Sequence, residues 1–146
     1  MTFSISRMLD TDRATVFRAW TDPARLRWFF SGREPAGEPV EVDLRSGGVW
    51  RQRMVVDAQT DYVTGGIYTR IEPYSLLEFR WGAVGGWPAL DPARLDDGPL
   101  VTIALDEVGE QTRMSVVVVP PDDVPAEVCL AGWNETIDRL VDAVAD

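Results

Sequence analysis

Histidine is absent from the 146 residues. That gap removes Ser-His-Asp and Cys-His catalysis, most zinc sites and the usual near-neutral general base. Cysteine occurs once, at Cys129, so no internal disulfide can form, which fits a reducing cytoplasm. Positive charge is scarce: 14 Lys and Arg stand against 24 Asp and Glu, for a formal net charge of −10. Such a chain is repelled by phosphate backbones and anionic lipid, so nucleic-acid binding and electrostatic membrane docking are poor hypotheses. No apolar run approaches the roughly 18 residues of a membrane span. Met1 to Asp10 lacks the apolar core of a signal peptide. No metal or cofactor is expected.

What is present is ordinary globular material, 45% hydrophobic and 26% charged, at a length that suits one domain over residues 1–146. The organising stretch is at the end. Leu130, Trp133, Ile137, Leu140, Val141 and Val144 recur at helical spacing from Ala126 to Val144, with Pro125 at a first helical position. Glu127, Asn134, Glu135, Asp138, Arg139 and Asp142 fall opposite and are expected to face water. One helix cannot bury that stripe alone, and nearly everything upstream has strand character.

Phe3, Ile5, Arg7 and Leu9 alternate with Ser4, Ser6 and Met8 as an opening strand. Asp10 to Asp12 offers N-caps for a short helix carrying Val16, Phe17 and Trp20, and Asp22-Pro23 starts a second, to about Trp28. Further strands are expected at Val40–Leu44, Val49–Val56, Tyr62–Ile71, Leu76–Trp81, Val101–Leu105 and Arg113–Val118. Gly65-Gly66 suggests a bulge or bend that lets the sheet curve. Gly82 to Leu100 holds four glycines, three prolines and Trp87, and reads as a lid-like loop with room for a short helix. Short links imply antiparallel pairing, and the class is α+β.

Several pieces in this order carry a resemblance: Val16-Phe17-Arg18-Ala19-Trp20-Thr21-Asp22-Pro23, Leu26-Arg27-Trp28-Phe29, Asp43-Leu44-Arg45-Ser46-Gly47-Gly48, Gly66-Ile67-Tyr68 through Glu72-Pro73, Leu77-Glu78-Phe79-Arg80-Trp81, and Gly132-Trp133 through Leu140. Together they resemble the START-like (SRPBCC) superfamily, known also from the birch-pollen allergen. Within it the chain is most similar to single-domain homologues of the C-terminal domain of the heat-shock chaperone's ATPase activator (AHSA-type). The resemblance implies a helix-grip fold: a curved antiparallel sheet wrapped around a long C-terminal helix, with two short helices after the first strand. It also implies an elongated cavity that in this superfamily often holds an apolar ligand. Members carry lipids, sequester drugs, cyclise polyketides or bind chaperones, so fold alone does not choose a function.

The aromatic residues are the best site signal. Trp50, with Gln52 and Met54, shares one face of its strand. Phe79 and Trp81 share a face with Leu77, and Trp133 and Ile137 lie on the helical stripe. These phases aim them at the space between sheet and helix, whereas plain core packing is the better reading for Trp20. Trp87, in the glycine-rich loop, suits the mouth of a cavity. Gln52, Tyr68 and Arg70 are candidates for polar contacts to a ligand. Cys129 reads as a small buried hydrophobe, because no basic neighbour activates it. Glu78 with Arg80, and Arg51 with Arg53, read as outer-face residues forming ordinary cross-strand ion pairs.

The expected function is non-catalytic binding of a small hydrophobic or aromatic ligand. The alternatives are a cyclase- or hydrolase-like enzyme using the same cavity, with a Tyr, Glu or Arg moving protons, and a chaperone-interacting stress-response protein. A small hydrophobic ligand is the expected partner, with a homodimer or a chaperone as further candidates.

Overall fold

A computed structural model describes residues 2–22, 25, 41–57, 60–84, 99–120 and 125–144, with the side chains of 52–57, 60–63 and 83–84 outside the description. Strand β1 (Phe3–Leu9) leads into helix α1 (Arg13–Thr21). Strands β2 (Glu41–Val42), β3 (Val49–Asp57), β4 (Thr60–Glu72), β5 (Leu76–Val84), β6 (Leu100–Val108) and β7 (Gln111–Val119) follow, and helix α2 (Ala126–Val144) closes the chain. The strands form one antiparallel sheet in the order β1-β7-β6-β5-β4-β3-β2, so β1 crosses over to pair with β7. Of the expected second short helix only Arg25 is described, its N–H donating to the Asp22 carbonyl at 2.9 Å, and the rest, Trp28 included, lies outside the described residues.

Helix α1 begins where Asp12 caps it: its Oδ1 accepts from the Thr15 backbone N–H at 2.7 Å. That bond, the largest influence on it, lowers the Asp12 carboxyl below its usual range. Val16, Phe17, Ala19 and Trp20 form its buried face, and the Trp20 indole N–H lies 3.4 Å from Met114 Sδ of β7. Helix α2 runs against β1 and α1. It buries Cys129, Trp133, Thr136, Ile137, Leu140 and Val144, while Leu130 and Val141 are only partly covered.

The alternation expected for β1, β5, β6 and β7 holds. Ile5 and Leu9 of β1, Leu77, Phe79 and Trp81 of β5, Val101, Ile103 and Leu105 of β6, and Met114, Val116 and Val118 of β7 are all buried on the side facing α2. Arg7 shares that inner face. Its Nη2 donates to Asn134 Oδ1 at 3.0 Å and lies 3.5 Å from Asp138 Oδ1. Asn134 therefore does not simply face water: it is half-buried, because Arg7 lays its stem along the inner face and brings its guanidinium to the helix flank.

The curvature differs in detail from the expectation. Gly65 and Gly66 stay in regular register, opposite Arg51 and Trp50 on β3 and Gly82 and Trp81 on β5. Their contribution is close approach: a Cβ on Gly66 would collide with the Arg80 carbonyl, and one on Gly65 with the Trp50 carbonyl. The irregularity falls later, between Tyr68 and Arg70. Gly66→Ala is expected to cost about 1–3 kcal/mol, since backbone rather than a side-chain tip must move; urea unfolding measures it, and a variant as stable as wild type would contradict the close packing. The glycine-rich segment is also shorter than expected, because β5 continues to Val84, and Pro99 accepts from the Trp81 N–H at 3.0 Å.

Candidate functional site: the aromatic inner face

The middle of the sheet is built from aromatic side chains. Trp50, Gly66 and Trp81 stand opposite one another across β3, β4 and β5, so two indoles flank a residue with no side chain. The Trp81 ring meets the Trp133 ring of α2 edge to face, centroids 5.1 Å apart. Phe79 is the hub of a second group: Trp50 at 5.1 Å, Tyr68 at 6.3 Å and Trp20 at 6.4 Å surround it. Trp50, Tyr68, Phe79, Trp81, Trp133 and Ile137 all belong to one buried cluster, each no more than 3% exposed. Trp20 joins the same cluster as core.

Two hydroxyls enter this apolar surface from β4. Thr64 donates to the Gly82 carbonyl at 2.9 Å and accepts from the Trp81 indole N–H at 3.1 Å, which fixes that ring. Tyr68, four residues on and on the same face, is held by its backbone. Gly47 N–H donates to the Tyr68 carbonyl at 2.7 Å, and Tyr68 N–H donates to the Gly48 carbonyl at 2.9 Å. The φ of +85° at Gly47 is a left-handed conformation that glycine adopts without strain, so the Ser46-Gly47-Gly48 turn is a backbone clamp on Tyr68. Burial pushes the Tyr68 phenol well above its ordinary range, so it stays protonated at neutral pH.

Sequence phase put Arg70 on the inner face with Tyr68. The register shift between them turns Arg70 outward instead, where it is mostly exposed and 2.9 Å from Glu72. Glu78 is on the outer face as expected, but among the described residues its bonds run to neutral partners: Thr69 and Thr102 donate to its two oxygens at 2.8 and 3.1 Å. Gln52 and Met54 lie on β3 in register with Thr64 and Tyr62. Their side chains, and all of Trp87, lie outside the described residues. Sequence reasoning missed Thr64 and Thr136, both buried. The signal for Thr64 was its alternation with Gly66 and Tyr68.

Cys129 is fully buried on α2, and desolvation pushes its thiol above the ordinary range. Labelling by a thiol reagent at neutral pH is expected to be slow and to track unfolding. Cys129→Ser should lower stability by roughly 1–3 kcal/mol through a buried hydroxyl. Rapid stoichiometric labelling of the folded protein would contradict this. Elsewhere, a surface hollow of about 300 Å³ lies among Asp12, Arg13, Ala14, Tyr74, Glu107, Gly109, Glu110 and Gln111. Asp12 caps α1 there, and Arg13 lies 3.7 Å from Glu107.

Residues 10–145 match the family described as "Activator of Hsp90 ATPase homolog 1-like protein" (AHSA1). The chain belongs to this family. Its fold is the helix-grip α+β arrangement shared by AHSA1-like structures. The crystal structure of CV1439 from Chromobacterium violaceum superposes with a TM-score of 0.76 at 24% identity, covering 100% of this chain and 99% of that one. The solution structure of an AHSA1-like protein from Aeromonas hydrophila gives 0.80 at 22% identity, over 99% and 92% of the two chains. CalU16 from Micromonospora echinospora gives 0.65 at 26% identity, over 99% and 76%. No curated protein matches this chain. Among the described residues of this AHSA1 family member, no helix is long and apolar enough to cross a membrane.

Proposed function

We propose that this protein binds a small hydrophobic or aromatic molecule between the inner face of the sheet and α2, and that it does so without catalysis. The supporting observation is the Trp50–Gly66–Trp81 row beneath Trp133. Large, rigid rings flank a position with no side chain, on a surface that is aromatic with few polar groups, which is the usual make-up of a ligand site. The site is carried by Trp50, Tyr68, Phe79, Trp81, Trp133 and Ile137; the sequence reading adds Gln52, Met54 and Trp87, whose side chains lie outside the described residues. Among the described residues, the buried polar side chains are Thr21, Thr64, Thr112, Thr136 and the Tyr68 phenol. None is an acid or base poised near neutral pH, which favours binding over proton transfer. A cytoplasmic setting suits the single buried thiol.

Tryptophan fluorescence titrated with a panel of apolar and aromatic compounds tests the proposal. Some compound is expected to shift the emission saturably, and Trp87→Ala should mainly change its rate of release. If no compound binds, ligand binding is refuted. Contact with a chaperone, which the family's description favours, then becomes the better function, and co-sedimentation with the chaperone tests it directly.

A further inference from the structure

We infer that the outer face of the β6–β7 hairpin is where two copies of this chain pack back to back, about a two-fold axis that sets Arg113 of each copy against Asp106 of the other. The inference does not depend on the binding function proposed above.

Strand alternation builds the face. The side chains of β6 and β7 that turn away from α2 stand in register pairs: Leu100 with Val119, Ala104 with Ser115, and Asp106 with Arg113. Half of the exposed large hydrophobics among the described residues, Met8, Val108 and Val119, are on this outer side of the sheet. Charge then says what covers it. The chain carries a net −10, which sets copies of it against one another. The outer face from β5 to β1 is balanced instead, with Glu78 and Asp106 against Arg80 and Arg113. Glu78 already accepts from Thr69 and Thr102. Asp106 and Arg113 are register neighbours of opposite sign and both exposed, yet among the described residues neither is in an ion pair.

The face is complementary to itself. An axis running along the strands, between β6 and β7, exchanges the two members of every register pair. Each Arg113 then meets the partner's Asp106, twice per dimer, and at the other end of the hairpin Leu100 meets the partner's Val119. An axis across the middle of the hairpin would instead set Arg113 against Val119 and Asp106 against Leu100, so the charges select the first. Ala104 and Ser115 between the two ends are short, which lets the sheets approach to the usual spacing of about 10 Å. Because the sheet curves around α2, its outer face is convex across the strands and contact is closest along the axis. The dimer is therefore a weak one, with a dissociation constant on the order of micromolar.

Sedimentation equilibrium of the full chain, from micromolar to millimolar, reads the association directly. The mass should rise with concentration from 16.3 kDa toward twice that value. Asp106→Arg and Arg113→Asp are both exposed changes, and each alone should raise the dissociation constant about tenfold or more, because like charges then face each other twice. An equimolar mixture of the two variants should associate as tightly as wild type, since every contact between unlike copies is again Arg against Asp. A merely structural role for either residue would not give that rescue. A chain that stays monomeric at millimolar concentration would overturn the inference. So would charge reversals that leave association unchanged, or a mixture that associates no better than either variant alone.

Discussion

A chain ending before Ala126 is expected to keep strand-rich far-ultraviolet dichroism but to lose its cooperative melt and bind hydrophobic dyes. Helix α2 buries five apolar side chains, Cys129, Trp133, Ile137, Leu140 and Val144. At about 1.5–3 kcal/mol each, their burial is worth roughly 10 kcal/mol. That is comparable to the whole stability of a domain, about 5–15 kcal/mol. Removing the helix also bares Trp81, which meets it through Trp133. The state left behind would hold its strand pairs without fixed packing, as molten globules do. A truncated protein melting cooperatively near the full-length temperature would show that the sheet does not need its helix.

Trp133→Ala should have the largest effect of any single truncation, a loss of about 3–5 kcal/mol. Trp133 is completely buried, in the middle of α2, and its ring stands edge to face with Trp81. The helix backbone runs against β1 and α1, so over β5 it is these two indoles that bridge helix and sheet. Deleting one leaves a hole that neither element can close without moving as a unit. For a domain of this size the melting temperature should fall by about 10–15 °C. Trp133→Phe, which keeps a ring against Trp81, should lose less than half as much. An alanine variant within about 1 kcal/mol of wild type would mean that the interior collapses freely around the site.

The helix and most strands were legible because their signals are local. Apolar spacing marked α2 from Ala126 to Val144, and alternation gave the inner faces of β1, β5, β6 and β7. The finer boundary of the helix was not legible. Cys129 and Thr136 are buried while Leu130 and Val141 are only half covered, because position around the helix, more than hydropathy, decides what the sheet covers. Arg70 was misplaced for a different reason. A bulge costs one residue of register and reverses every face beyond it, and the Tyr68–Arg70 stretch carries no glycine or proline to announce one. Gly65-Gly66 did announce an irregularity, but the glycines serve close strand approach and the bulge came three residues later. At the site, strand phase was enough to put Trp50, Phe79 and Trp81 on one side. That Trp50 and Trp81 flank Gly66, and that Tyr68 reaches Phe79, depends on pairing across three strands, which no single stretch encodes.

The most direct test of the binding site is nuclear magnetic resonance of the indole N–H groups. An isotope-labelled full-length sample, with indole signals assigned through Trp→Phe variants, would be titrated with acetylnaphthalene. Saturable shifts of the Trp50, Trp81 and Trp133 indoles are predicted, with the amides of Ser4, Ser6 and Ser115 on the outer face unmoved. If those three indoles stay fixed up to the solubility limit of the compound, or if only outer-face residues respond, the aromatic inner face is a packed core and not a ligand site.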